Sequence, residues 1–315
     1  MNFDVDARTI LLCRAGSHAY GTNIAGSDED FRGICVKSRD AYFGFTQRFE
    51  QFEHMGSKSD GIDKVIFALE KFASLAADCN PNIIETLFVD ESDVIKCDEF
   101  GQRLRDVRDA FLSKKAKFTF AGYAHAQLHR IKTHKAWLMN PIKDPPDRRT
   151  FGLSDTSAVS KSELGAYDSM LEQKLDMDLP KSVVTLFTRE KAYQAAKLHY
   201  EQYLGWVKSR NPARAELEAK FGYDTKHGMH LIRLMRMCVE ILRDCMVNVK
   251  RLDFEDLLDI RYGRRVYESV IEEAEALEAL CEQLYLTSKL RREPDREMLS
   301  SLVVNIATDY LSIFG

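Results

Sequence analysis

Long apolar runs are missing from this sequence, and their absence excludes a membrane-spanning class of protein. No stretch of the 315 residues approaches the roughly 18 apolar residues that cross a bilayer as a helix. Residues 1–6 are acidic and lack the basic and apolar regions of a secretory signal peptide. We therefore expect a cytoplasmic protein without a membrane partner.

Cysteines are few and scattered. The sequence has seven, an odd number, and none stand in a Cys-x-x-Cys pair. Regular pairs of this kind mark disulfide frameworks and structural zinc sites. The spacing therefore argues against both, and free thiols are expected.

Excess positive charge is also missing, which bears on nucleic-acid binding. Lysine and arginine total 45 against 49 aspartates and glutamates, a net charge of −4, so the chain as a whole does not attract polyanions. Short basic stretches remain candidates for RNA or DNA contact, although such stretches are more often solvated surface: residues 114–117, 148–149 and 291–292.

The first ninety residues have a mixed pattern. Apolar runs of strand length occur at residues 9–13 and within 28–36, and residues 42–45 and 49–53 are interpreted as further strands. From residue 63 the apolar spacing becomes helical and ends at Asn80-Pro81. Residues 83–89 fit either a short helix or a buried strand.

Beyond residue 100 the strand signal fades. Residues 141–162 contain a proline pair and a Ser/Thr/Asp cluster and are interpreted as a loop. Helices are predicted at about 99–112, 115–138, 182–208, 226–249, 253–262, 264–288 and 295–313. The sequence therefore predicts an α+β fold, with a small mixed-sheet domain in residues 1–100 followed by an α-helical domain in residues 101–315.

Two aspartates in the second predicted strand carry the chemical signal. Side chains alternate along a strand, so Asp28 and Asp30 share a face with Cα atoms roughly 7 Å apart, whereas Glu29 faces the other way. Paired carboxylates at this spacing suit one or two Mg²⁺ or Mn²⁺ ions, which prefer oxygen ligands.

A glycine-serine pair precedes the aspartates by ten residues. Gly16-Ser17 directly follows the first predicted strand, and a helix beginning there would present free backbone N–H groups. Together with the Ser17 hydroxyl, these donors form a cradle for phosphate. A phosphate cradle beside a carboxylate pair is suited to nucleotidyl transfer from a nucleoside triphosphate.

The combination of Gly16-Ser17 with Asp28-x-Asp30 resembles the DNA polymerase beta superfamily of nucleotidyltransferases. The sequences of residues 16–21 and 27–33 are similar to those of predicted nucleotidyltransferases common in bacteria and phages. Residues 80–88 and 226–234 resemble the same group. The resemblance implies that residues 1–100 form the catalytic domain. It also implies that residues 101–315 help to form the nucleotide and acceptor sites.

The resemblance further implies a third carboxylate on a later strand near the same metals. Asp63 is the best position, with Glu85 and Asp60 as competitors. This group would act as general base on the acceptor hydroxyl or help to position the metal.

Further nucleotide-binding candidates follow from position and resemblance. Arg32 shares the strand face of Asp30, where it either neutralises phosphate or forms a structural salt bridge, and Tyr20 lies under the nucleotide or packs against the sheet. By the resemblance, Lys226 and His230, one helical turn apart, close the nucleotide pocket. His125 and His129 form an i, i+4 pair of metal-ligand type without a third ligand in the sequence nearby.

The predicted function is transfer of a nucleoside monophosphate from a triphosphate to an acceptor hydroxyl, with release of pyrophosphate. The acceptor is an RNA end such as that of tRNA, a protein side chain or a small molecule, and the sequence does not choose among them or fix the oligomeric state. Two alternatives are a non-catalytic nucleotide- or RNA-binding, antitoxin-like protein with the same fold, and a helical scaffold that binds no nucleotide. The intact Gly-Ser and Asp-x-Asp residues favour catalysis.

Overall fold

The computed structural model describes residues 3–45, 48–56, 61–172, 179–210 and 212–315. The described residues form five strands: β1 Thr9–Ala15, β2 Glu29–Cys35, β3 Gln51–His54, β4 Ile62–Ala68 and β5 Val94–Cys97. They make one sheet in the order β3-β4-β2-β1-β5. Strands β2 and β4 are parallel, and the other neighbours are antiparallel, so the sheet is mixed.

Short helices connect and cover these strands. They are α1 Gly16–Tyr20, α2 Arg39–Phe43, α3 Leu69–Ala77, α4 Pro81–Phe88 and α5 Glu99–Asp106. The Asn80 side chain accepts the amide of Asn82 to cap α4, and Pro81 occupies its first position, where no amide is needed. Helix α3 packs against β4 and β2, while α4 and α5 pack against β1. The fully buried Ile10, Leu11 and Cys13 of β1 lie at the centre of this packing.

The remainder of the chain is helical, and the predicted α+β class is confirmed. The helices are α6 Ala116–Met139, α7 Lys161–Glu172, α8 Lys181–Ser209, α9 Pro212–Phe221, α10 Thr225–Asp244, α11 Phe254–Arg261, α12 Tyr267–Thr287 and α13 Arg296–Phe314. Helix α10 is largely buried, because its apolar face meets α11 and α12. Helix α13 packs against α3 and α5.

The chain divides into two compact units. Unit 1 comprises residues 1–132 and 223–315 and contains the whole sheet, and unit 2 comprises residues 133–222. Within unit 2, the 3₁₀ turn Arg148–Phe151 is fixed to α8 because Arg148 forms an ion pair with the buried Glu190. These units do not divide at residue 100, and the role assigned to residues 101–315 stays a prediction.

Two predicted elements differ from the structure. Residues 42–45 are not a strand, because the Ser38 side chain accepts the amide of Ala41 and starts α2. Residues 63–68 are not helical: β4 hydrogen-bonds β2 on one side and β3 on the other, and the helix begins only at Leu69. Residues 83–89, ambiguous in the sequence, are largely helical in α4.

Two helices in unit 2 were not predicted. Helix α7 begins inside the segment interpreted as a loop, and α9 lies where no element was expected. Within the described residues, no helix combines the length and apolar character needed to cross a membrane. The seven cysteines are free thiols, in agreement with their irregular spacing.

Candidate active site

Three aspartates meet where β2 and β4 run side by side. Asp30 pairs directly with Asp63 in the parallel register, and Asp28 comes immediately before the first residue of β2. Paired positions on adjacent strands lie about 4.8 Å apart and face the same side, and Asp28 shares that side by alternation. The sheet therefore places Asp28, Asp30 and Asp63 on one side of the same sheet edge.

Gly16 lies against the carboxylate of Asp30. Ala15, the last residue of β1, pairs with Asp30, and Gly16 follows with a φ of 61°. A Cβ atom built on Gly16 would stand 2.1 Å from Oδ2 of Asp30. Both the left-handed backbone and this close approach require glycine. Gly16 therefore directly adjoins the carboxylate of Asp30.

Backbone from the β3–β4 connection also borders the aspartates. The amide of Gly56 donates to Oδ1 of Asp63 at 3.0 Å, and the carbonyl of Gly61 accepts the amide of Glu29 at 2.8 Å. Gly61 has a φ of 59°, and a Cβ atom there would lie 3.6 Å from Oδ1 of Asp28. Asp60, one of the competing third carboxylates, lies outside the described residues.

The charges around Asp30 act on its protonation. Partial burial raises the pKa of Asp30, as do the neighbouring carboxylates Asp63 and Asp28, whereas Arg32 and Lys226 lower it. A carboxylate surrounded by two others favours a bound cation, and aspartate oxygens are the ligands preferred by Mg²⁺ and Mn²⁺. Asp28, Asp30 and Asp63 offer the oxygen ligands that such an ion takes, although their carboxylate oxygens do not all lie within 4.8 Å of one another in this structure.

Arg32 and Lys226 supply the positive charge at this site. Arg32 is half-buried on the strand face of Asp30, and its Nη1 donates to the carbonyl of Phe31 at 2.9 Å. Lys226 stands in the first turn of α10, and its charge reaches Asp30. Helix α10 is therefore close enough to β2 to add a cation to the site.

His230 lies one turn after Lys226 on α10. Burial and the neighbouring cations Arg233 and Lys226 hold the pKa of His230 well below its usual range, so its imidazole is neutral at pH 7. A neutral imidazole both donates and accepts a hydrogen bond. His227, between them, is held in the helix cap, since its amide and Nδ1 both contact the carboxylate of Asp224.

Tyr20 and Glu85 lie in a buried cluster beside the site. The Tyr20 hydroxyl donates to Oε2 of Glu85 at 2.6 Å, and Arg233 forms an ion pair with Oε1 of Glu85. The Arg233 guanidinium also lies 3.8 Å from the centre of the Tyr20 ring. Burial raises the pKa of Tyr20. Tyr20 is thus packed inside the protein, and the charge of Glu85 is already neutralised by Arg233.

Sequence reasoning did not identify the role of Arg233. Arg233 shares a helical face with Lys226 and His230, but its partner Glu85 lies 148 positions earlier. Ion pairs between residues so distant in sequence leave no local pattern. The chain itself offered only the i, i+7 spacing from Lys226 as a signal.

The other candidates lie apart from the aspartates. His125 and His129 are exposed, His125 pairs with Glu278 at 2.8 Å, and neither belongs to a group of metal-ligand side chains among the described residues. In each of the basic stretches the structure pairs a side chain with an acid. The pairs are Lys115 with Asp78, Lys117 with Glu282, Arg148 with Glu190, Arg149 with Asp155, and Arg291 with Asp295.

Comparisons with known proteins found a matching family and a similar phage protein. Residues 2–142 match the family described as RlaP, the RNA repair pathway DNA polymerase beta family. The chain is also similar to an uncharacterized 38.9 kDa protein of the nrdC-mobD intergenic region of Enterobacteria phage T4, with 23% identity over 297 residues, covering 84% of this chain and 86% of the phage protein. No solved structure matches the chain. The family match confirms the predicted resemblance to the polymerase beta-like nucleotidyltransferase superfamily.

Proposed function

We propose, from the polymerase beta-like region and the acidic site within it, that this chain is a divalent-metal-dependent nucleotidyltransferase. The proposal depends above all on one observation: Asp30 pairs with Asp63 across β2 and β4 while its carboxylate lies against Gly16. Carboxylates and a phosphate-binding corner in one site are the two parts that nucleotidyl transfer needs.

The reaction moves a nucleoside monophosphate from a triphosphate to a hydroxyl group. The acceptor oxygen attacks the α-phosphorus, a new P–O bond forms, and the bond to the β-phosphate breaks to release pyrophosphate. Asp28, Asp30 and Asp63 would hold Mg²⁺ or Mn²⁺, and the bound ion would supply positive charge to the phosphate oxygens. Asp63 has one carboxylate oxygen beyond the contact with Gly56, and this oxygen accepts the proton of the acceptor hydroxyl.

The remaining residues bind and orient the nucleotide. The Ser17 hydroxyl and the adjacent backbone amides bind phosphate oxygens. Arg32 and Lys226, whose charges both reach Asp30, neutralise the triphosphate, and His230 donates or accepts a hydrogen bond as a neutral ring. Tyr20, buried under Arg233, orients the corner and does not stack on the base.

For the acceptor we propose the 3′-hydroxyl of an RNA. The description of the matching family, an RNA repair pathway, supports this class over a protein side chain or a small molecule. The chain carries no net positive charge, so we expect an RNA contact limited in extent.

A labelling experiment tests this function. The chain is incubated with each α-labelled nucleoside triphosphate and Mg²⁺ or Mn²⁺, with total RNA, tRNA or protein lysate as acceptor. We expect label on RNA, and we expect Asp30→Asn or Asp28→Asn to reduce it by roughly 100-fold or more. Glu29→Gln is the matched control, since this neighbouring carboxylate faces the other way and should retain activity.

Each other outcome has a defined meaning. If the label appeared on protein, the acceptor would be a protein side chain, and the proposed nucleotidyl transfer would still hold. Triphosphate binding without label on any acceptor would identify a nucleotide-binding, non-catalytic protein. Label that persists in the Asp28→Asn, Asp30→Asn double variant would refute the metal site.

A further inference from the structure

The cluster of Tyr20, Glu85 and Arg233 joins three separate elements of unit 1. Tyr20 ends α1, Glu85 lies in the middle of α4, and Arg233 lies in α10. The three residues are only 5%, 6% and 4% exposed. A carboxylate and a guanidinium removed from water to this extent lose hydration that their attraction only partly returns. Stability alone is therefore a poor explanation for charge at this position.

Helix α1 depends on the C-terminal part of unit 1 for its position. Besides the contacts of Tyr20 with Arg233 and Glu85, the Tyr20 carbonyl accepts the amide of Arg251 at 3.1 Å. The carbonyl of Thr22, two residues later, accepts from Nη1 of Arg261 at 3.2 Å. The segment that carries the Gly16-Ser17 corner is thus held by contacts from beyond residue 230.

The same helix that carries Arg233 also carries cationic and polar groups of the site. Lys226, His230 and Arg233 follow at i, i+4 and i+7, so they share a face of α10. A helix is rigid over two turns, so fixing Arg233 also fixes the height and rotation of Lys226 relative to α1. The contact at Arg233 therefore sets the position of Lys226 relative to Gly16-Ser17 and Asp30.

We infer that Arg233 is a positioning residue for nucleotidyl transfer, which acts by clamping α10 to α1 through Glu85 and Tyr20. The inference rests on the proposed function. Arg233 binds no substrate in this account; it holds Lys226 and His230 opposite Gly16-Ser17 so that the triphosphate meets both at once. Misplacement of binding groups by about 1 Å is enough to cost a large factor in rate.

A paired substitution separates positioning from charge neutralisation. Arg233→Met combined with Glu85→Gln removes both charges together, keeps an acceptor for the Tyr20 hydroxyl and fills a similar volume. Replacing a buried ion pair in this way is often neutral for stability. We therefore expect a thermal unfolding midpoint close to that of the wild type. For the triphosphate we expect kcat/KM to fall at least about ten-fold, mainly through a rise in KM.

The matched control removes another ion pair of unit 1. Arg105→Met with Glu91→Gln deletes a buried arginine and its carboxylate partner, 2.8 Å apart, in a part of the unit with no role in the site. This variant should keep the wild-type KM. The Mg²⁺ concentration for half-maximal rate should also be unchanged in the Arg233→Met, Glu85→Gln variant, because Glu85 is not a metal ligand in this account.

The outcomes separate this inference from the function on which it rests. If the wild type labels no acceptor, the proposed function fails and the inference fails with it. If the wild type is active and the paired variant is stable with wild-type KM, the inference alone is overturned. If the paired variant does not fold, Glu85→Asp decides: its shorter side chain cannot hold Arg233 and Tyr20 in the same places, so a wild-type KM there would also overturn the inference.

Discussion

The two compact units place carboxylates in opposite electrostatic settings. In unit 1, partial burial and the neighbouring Asp63 and Asp28 raise the pKa of Asp30. In unit 2, the hydrogen bond from Arg148 lowers the pKa of Glu190, whose side chain is fully buried. Asp30 lies near two other carboxylates as well as the cations Arg32 and Lys226, whereas Glu190 forms an ion pair with Arg148. The proposed metal site in unit 1 is consistent with this difference, because perturbed carboxylates are common at functional sites.

The two units also differ in their balance of charged residues. Residues 133–222 contain 14 lysines and arginines against 12 aspartates and glutamates, and both tryptophans. The rest of the chain contains 31 against 37, so the acidic excess belongs to unit 1. The aspartates of the site contribute to that excess, and a bound divalent cation would offset part of it.

The largest expected effect comes from adding a side chain at Gly16, next to the carboxylate of Asp30. Gly16→Ala places a Cβ atom where Oδ2 of Asp30 now lies and strains a left-handed backbone, so transfer should be abolished. Gly26→Ala is the control, because Gly26 also has a positive φ, of 78°, but nothing lies within 4 Å of its added Cβ. Backbone strain alone costs about 1–3 kcal/mol, which both variants share. Rates and denaturant unfolding of both are the measurements.

If Gly26→Ala were as inactive as Gly16→Ala, strain would be the cause and the close approach to Asp30 would carry no functional meaning.

A second prediction concerns the structural carboxylate of unit 2. Arg148→Ala leaves Glu190 buried and without its ion-pair partner, so the segment around the 3₁₀ turn should open. Hydrogen exchange of residues 148–157 should accelerate by about ten-fold or more, while triphosphate binding by unit 1 stays unchanged. Arg149→Ala is the matched control, since Arg149 pairs with the exposed Asp155. Equal hydrogen-exchange rates in the Arg148→Ala and Arg149→Ala variants would contradict the structural role of Glu190 in unit 2.

The smallest effect is the opposite pH dependence of the two carboxylates. The raised pKa of Asp30 means that the folded state binds its proton more readily than the unfolded state, so Asp30 destabilises at neutral pH and this cost is relieved as pH falls. In metal-free buffer at pH 7, Asp30→Asn should therefore stabilise unit 1 slightly.

The pH dependence of stability that Glu190 contributes has the opposite sign. Its lowered pKa contributes stability that is complete above its ordinary pKa and is lost as pH falls through the folded value. Unfolding of the two units, followed by hydrogen exchange between pH 7 and pH 4, measures both signs in one series. Destabilisation by Asp30→Asn at pH 7 without metal would contradict the account of unit 1.

Local patterns predicted part of the site. The alternation of side chains along a strand placed Asp28 and Asp30 on one face, and the resemblance selected Asp63 over Glu85 as the third carboxylate. The parallel register of Asp30 with Asp63 brings these side chains together. Strand alternation is a short-range property of the backbone, which is why sequence alone was sufficient there.

Contacts between residues distant in sequence could not be predicted from local patterns. The apolar residues from Val65 to Ala76 have helical spacing, yet residues 62–68 form β4 because β2 and β3 supply hydrogen bonds from both sides. Periodicity within one segment carries no information about its neighbours in a sheet. The burial of Glu85 against Arg233 was missed for the same reason.

The most direct test of the central claim is the position of a bound cation. Crystals grown with Mn²⁺ and a non-hydrolysable nucleoside triphosphate would show manganese by its anomalous scattering. The account predicts a peak about 2–2.5 Å from carboxylate oxygens of Asp28 and Asp30, with phosphate oxygens beside Gly16-Ser17. Manganese bound elsewhere, or with equal occupancy in the Asp30→Asn variant, would contradict it.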